Sequence, residues 1–268
     1  MTTSSQSEPA EVSPDESGGQ MTFFEHLVEL RKRIINSLIA VVLGAMVGWY
    51  VAPHFVNWIT GPMLKALKDA GLAQQLVYTH PAGFLNLLIT LSIYLGLVLA
   101  SPVVLYQIWL FVAPALYKHE RGAIAGFLFS TVFLFLGGIA FGYFIMLPYI
   151  LRFLTHISSQ GPVVPMISIN EYFDLILLVL LGLGVVFELP ILIFFLSLFG
   201  IVTPKFLWSN LRYAILIIAV VAMVVTPTPD ATTMLVFMAP MVGLYFVGIA
   251  VSALVVRRKR RNAAVAEA

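Results

Sequence analysis

The chain contains no cysteine, which excludes disulfides, thiol nucleophiles and cysteine-ligated metals. Charge is scarce too. Asp, Glu, Lys and Arg supply 10% of its 268 residues, against about a quarter in a soluble domain. The net charge of +2 is too small to suggest a nucleic-acid partner. The five histidines (26, 54, 80, 119, 156) lack the H-E-x-x-H or H-x-x-E-H spacing of a metal site. There is no G-x-x-x-x-G-K-[ST] phosphate loop and no G-x-S-x-G nucleophile turn. The first twenty residues have neither the basic start nor the apolar core of a signal peptide. They are polar, acidic and rich in Pro, Gly and Ser, and read as a disordered tail. No internal repeat is visible: the first three apolar blocks and their loops do not resemble the last three.

What is present is apolar. Hydrophobic residues make up 60% of the chain, with mean hydropathy +0.97. They fall in blocks near the roughly 20 residues that a helix needs to span a bilayer. The expectation is an all-α polytopic membrane protein over residues 21–256, with a basic tail at 257–268.

Thr22 and Glu25 are spaced as a capping box and predict a helix start. An amphipathic entry then feeds a first span at about 34–51, with Gly44 and Gly48 as a small-residue face for close helix contact. Residues 52–80, with Pro53, Gly61 and Pro62, read as a partly helical loop. A second span, about 81–106, is kinked by Pro102. The third covers about 122–147 and carries Gly138 and Gly142; residues 148–167 form a second loop. Ser168 and Glu171 are spaced as another capping box, opening a fourth span to about Phe199. Thr203 and Pro204 read as N-cap and first residue of a short helix. A short fifth span, about 211–225, ends at a tight turn over 226–230. There Asp230 can cap the sixth span, about 231–256.

Six spans put both termini on one side. Twelve of the fifteen Lys and Arg residues lie on that side, and only Lys65, Lys68 and Arg152 on the other. This asymmetry predicts cytoplasmic termini. It also makes Ala100–Arg121 a cytoplasmic stretch. That segment is broken by Pro102 and Pro114, lined by Tyr106, Trp109, Phe111 and Tyr117, and closed by Lys118, His119, Glu120 and Arg121.

Three acids bear on function. Glu188 lies sixteen residues, roughly 24 Å, beyond Tyr172 and ten, roughly 15 Å, before Leu198. It is therefore well inside the hydrocarbon, where an ionised side chain costs at least about 2.5–3.5 kcal/mol. It is either polar glue between helices or a functional group, and Gly184 one turn earlier leaves room for a partner. Glu29 and Arg33 are paired i, i+4. Both Glu29 and Glu120 sit among basic residues that hold loops in the cytoplasm, a task that needs no carboxylate. A small-solute secondary transporter would require several facing polar residues at mid-membrane and an inverted repeat. An intramembrane enzyme would require a second group at the depth of Glu188. Asp174 is fourteen residues, roughly 21 Å, away.

Four segments carry a family resemblance: HLVELRKR (26–33), SPVVLYQIWLFVAPALYKHER (101–121), GVVFELP (184–190) and TPTPD (226–230). In this order they resemble TatC, the receptor subunit of the twin-arginine protein translocase, from about Met21 to the end of the sixth span. The resemblance implies six helices in a concave bundle, the last two short. It implies a receptor, not an enzyme, that has no cofactor and binds signal peptides with two consecutive arginines. It further implies assembly with the single-span subunits TatA and TatB in a homo-oligomeric complex, and movement of folded proteins by the proton-motive force. By motif match Glu29 and Glu120 receive the arginines. Arg31, Phe111 and Pro114 belong to the same surface. Glu188 matches an intramembrane glutamate facing the concavity, and Asp230 an acid of the outer turn.

Overall fold

The computed structural model describes residues 23–112, 121–161, 165–226 and 230–266, with the side chains of 23–25, 112, 121–125, 260 and 262–266 excepted. Nearly all the described residues are helical. Helix α1 (Phe23–Asp69) lies against α2 (Gly83–Val112), and small residues set the approach. A Cβ on Gly44 would come within 2.5 Å of the Gly96 carbonyl oxygen, and one on Gly48 within 2.6 Å of that of Ser92. The close contact expected from the spacing of Gly44 and Gly48 is therefore made.

The second such pair is α3 with α5. Helix α3 (Arg121–Phe141) runs through a π-helical turn, Gly142–Met146, into α4 (Leu147–Ser159). Helix α5 (Ile169–Val186) crosses it at Gly138, where a Cβ would lie 2.6 Å from the Leu183 oxygen. Helix α6 (Leu189–Leu198) continues the line of the chain after a break. Then follow α7 (Pro204–Ser209), α8 (Leu211–Val225) and α9 (Ala231–Ala266). Gly248 of α9 makes room for Ile193 of α6, and the buried Ser197 hydroxyl donates to that of Ser252 at 2.7 Å. Two short strands, β1 (Leu76–Val77) and β2 (Ile167–Ser168), pair in parallel and tie the segments after α1 and α4 together.

Five helical stretches are long and apolar enough to cross a bilayer: His26–Asp69, Gly83–Phe111, Gly126–Ser159, Ile169–Leu198 and Ala231–Lys259. The shorter apolar helix Leu211–Val225 accompanies them. Leu38, Val42 and Met46 form an exposed apolar row on α1 that suits lipid rather than water.

Several expectations are corrected. Of the stretch expected to be a partly helical loop, residues 52–69 are helix, continuous with the first span in spite of Pro53 and Pro62. Ala52, Ile59, Met63, Ala66 and Leu67 recur at helical spacing and are buried, so packing outweighs two lost backbone bonds. Residues 148–159 are helical for the same reason: Leu147, Ile150, Leu151 and Thr155 face inward. Only one of the last two spans is short. Helix α9 has 36 residues and passes Val256 without a break, because the Arg, Lys and Ala that follow are strong helix formers with no Gly or Pro among them. Ser168 has the backbone of an N-cap, but its hydroxyl makes no capping bond. The cap expected at Thr203 is present, accepting from the Phe206 amide at 3.2 Å. Thr22 and residues 1–20 lie outside the described residues.

The end of α1 and the start of α5 are joined by Tyr172, whose buried hydroxyl donates to the Ile59 carbonyl at 2.7 Å. Tyr172→Phe should lower stability by about 0.5–1.5 kcal/mol, the net worth of one such bond. Thermal unfolding of the purified protein in detergent measures it, and an unchanged midpoint would mean the bond adds nothing.

Candidate functional site

The first turns of α1 lie beside the last turns of α2. The guanidinium of Arg33 donates through Nη2 to Glu29 Oε1 at 2.8 Å and through Nη1 to Gln107 Oε1 at 3.1 Å. His26 stacks on Phe111, with ring centroids 4.4 Å apart. Glu29 is therefore no solvated surface charge. One oxygen is fixed by Arg33. The other, Oε2, is shielded from solvent and has no hydrogen-bond partner among the described residues. Arg31 is exposed on the same turns. Pro114 and Glu120 fall outside the described residues, so their position relative to Glu29 is not described. Gln107 was not singled out from sequence. The available signal was an amide side chain near the end of an apolar helix, which needs a polar partner.

The same face gathers more helix ends. Trp109 near the end of α2 packs on Phe127 near the start of α3 and on Phe195 near the end of α6, with centroids at 5.3 and 4.5 Å. The start of α1, the end of α2, the start of α3 and the end of α6 thus meet.

The second feature is the interruption between α5 and α6. Pro190 has no N–H to give the Val186 carbonyl, and the chain leaves the helix at Phe187 and Glu188. The Glu188 amide bonds instead to the Val185 oxygen, three residues back, at 3.1 Å. Glu188 is half-buried, and neither carboxyl oxygen has a hydrogen-bond partner among the described residues. The room expected beside it at Gly184 is filled: a Cβ there would meet Phe135 at 2.9 Å and Ile139 at 3.2 Å. Gly184 serves the α3 crossing. One turn after Glu188, Ile191 joins a buried cluster with Leu105, Trp109, Phe135 and Phe195. Two more unpartnered polar atoms border that cluster. They are Trp109 Nε1 and Oγ1 of Thr131, which is fully buried between Phe127 and Phe135 along α3. Neither was found from sequence, since a threonine inside an apolar helix usually bonds its own backbone.

Asp230 caps α9 as expected, its Oδ2 accepting from the Thr233 amide at 2.7 Å. No group of three or more His, Asp or Glu side chains able to hold a metal occurs among the described residues.

An all-helical, multi-pass membrane protein with one charged face of converging helix ends and an intramembrane carboxyl is the class these features define. Residues 25–240 match the model of the family described as Sec-independent protein translocase protein (TatC). The chain belongs to the TatC family and is a subunit of the Sec-independent protein translocase. It is 49% identical to the TatC protein of Koribacter versatilis over 250 residues, covering 92% of each chain. It is 34% identical to that of Escherichia coli K12, over 88% of this chain and 90% of the relative. A crystal structure described as the twin arginine translocase receptor TatC superposes with TM-score 0.76 at 35% identity, covering 87% of this chain and all of that one.

Proposed function

We propose that this chain is the signal-peptide receptor and core of its translocase. It recognises two consecutive arginines and passes folded proteins through the cell membrane at the expense of the proton-motive force, with TatA- and TatB-type single-span subunits in a homo-oligomeric assembly. It performs no covalent chemistry and needs no cofactor. The observation that carries this reading is Glu29. A carboxylate held by Arg33 on a helix pair, with no partner for its second oxygen among the described residues, suits an incoming guanidinium. Glu120 is the proposed second acceptor, since two adjacent arginines need two carboxylates. Arg31, Phe111 and Pro114 complete the surface. Because Arg33 occupies Oε1 and Oε2 is shielded from solvent, the incoming arginine reaches the carboxylate only as Arg33 or the covering side chains move aside. At a wet interface one such pair contributes about 1 kcal/mol or less. Apolar contact with the signal's hydrophobic segment must supply the remaining affinity.

The topology belongs to the same proposal. There are six spans, with Leu211–Val225 as the short fifth, both termini are cytoplasmic, and residues 1–20 and 257–268 are tails about a membrane domain. Glu188 forms a polar defect within the bilayer, and Asp230 holds the outer turn. The test is site-specific crosslinking from positions 29, 120 and 188 to a twin-arginine precursor, with TatB present and absent. Crosslinks from 29 and 120 are expected; that from 29 is expected to vanish in Glu120→Lys, and that from 120 in Glu29→Lys. Undiminished crosslinking in both variants would remove the recognition assignment.

A further inference from the structure

A groove of about 870 Å³ opens between α3, α6 and α9. Its volume is that of an ordinary ligand pocket, about 300–1,000 Å³. Phe127, Phe194, Val251 and Leu254 give it an almost wholly apolar wall, and Arg258 and Lys259 stand at one end. Along α9 it runs from Val247 to Lys259. That is twelve residues of rise, about 18 Å, close to half of the roughly 30 Å hydrocarbon core. Its charged end lies with the start of α3 and the end of α6, at Gly126 and Leu198.

We propose that this groove holds one anionic phospholipid of the leaflet on the side of the chain's termini. An acyl chain lies against Phe194 and Val251, and the phosphate meets Arg258 and Lys259. Length and charge both choose this occupant. The groove with its charged end is about one leaflet deep, so a helix crossing the whole membrane would be covered over only half its length. The charged end is cationic, the wrong sign for the arginines of the signal that the proposed function assigns to Glu29 and Glu120. That opposite sign is the only part of the inference that rests on the proposed function. Basic residues where a groove between helices meets the interface are suited to phospholipid headgroups.

The test is native mass spectrometry of the full chain in detergent, titrated with phosphatidylglycerol and with phosphatidylcholine. Phosphatidylglycerol should bind with a clear preference. Arg258→Gln with Lys259→Gln should weaken it roughly thirty-fold, as expected for two cations near a lipid phosphate. Val251→Trp, which fills the groove and keeps both charges, should abolish retention of either lipid. Lys205→Gln with Arg212→Gln removes the same charge elsewhere and should change nothing. Equal loss in the two double variants would reduce the effect to net charge and overturn the site. Unchanged binding in Val251→Trp would also overturn it. So would displacement of phosphatidylglycerol by a twin-arginine signal peptide, which would make the groove part of the signal's path. Failure to crosslink position 29 would leave all of these readouts standing, so the two readings fail separately.

Discussion

Replacing Gly96 by leucine should separate α1 from α2 and lower the melting temperature of the purified protein by at least about 5 °C, at about 2–4 °C per kcal/mol for a chain of this size. The reason is geometric. A Cβ at position 96 would run into the backbone nitrogen of Ala45 and lie 2.6 Å from its Cα. Main chain cannot change rotamer to make way, so one helix must move. Overpacking costs about 1–3 kcal/mol even where side chains can adjust, and here they cannot. The crossing also holds the start of α1 in register with α2, so the Arg33–Gln107 bond should be lost with it. Gly137→Leu is the matched control. It adds the same side chain within an apolar helix, at a glycine whose Cβ direction is open. Thermal scans by circular dichroism compare the two, and equal losses would mean that the crossing is not what Gly96 provides.

Glu188→Leu should have opposite effects on stability and transport. Both carboxyl oxygens lie without a hydrogen-bond partner among the described residues, inside a helical stretch long enough to span the bilayer. A buried polar group left there without a partner costs about 1–3 kcal/mol. Leucine removes that cost and should raise the melting temperature by several degrees. Transport of a twin-arginine precursor into inverted membrane vesicles should fall at least tenfold if the polar defect is part of the path. Glu188→Gln keeps a polar group without a charge and separates the two requirements, polarity and ionisation. A lower melting temperature for Glu188→Leu, with transport at the wild-type rate, would make the residue helix glue.

Local chemistry was legible in the sequence. Gly44 and Gly48 declare a close contact because nothing larger would fit there. Thr203 before Pro204 declares a helix start, and Pro190 declares the break beside Glu188. Misreadings arose where long-range packing overrode a local signal. Pro53 and Pro62 argue for a loop, yet a buried stripe from Ala52 to Leu67 keeps the helix intact. Gly184 suggests space for a partner, which Phe135 occupies from another helix. The i, i+4 spacing revealed the Glu29–Arg33 pair. The bond from Arg33 to Gln107 spans 74 positions, and no periodicity carries it. Glu120, the other half of the proposed recognition pair, was found through its motif alone.

Helix α8 has 15 residues, a rise of about 22 Å. An ordinary hydrocarbon core is about 30 Å thick, so as the fifth span of the proposed topology α8 would leave a shortfall to the lipid. Val225, its last residue, packs against Gly182, where a Cβ would meet it at 2.9 Å, which anchors that end. The bilayer around such a span would thin, at a cost of a fraction of a kcal/mol per Å, and that elastic cost would grow with acyl-chain length.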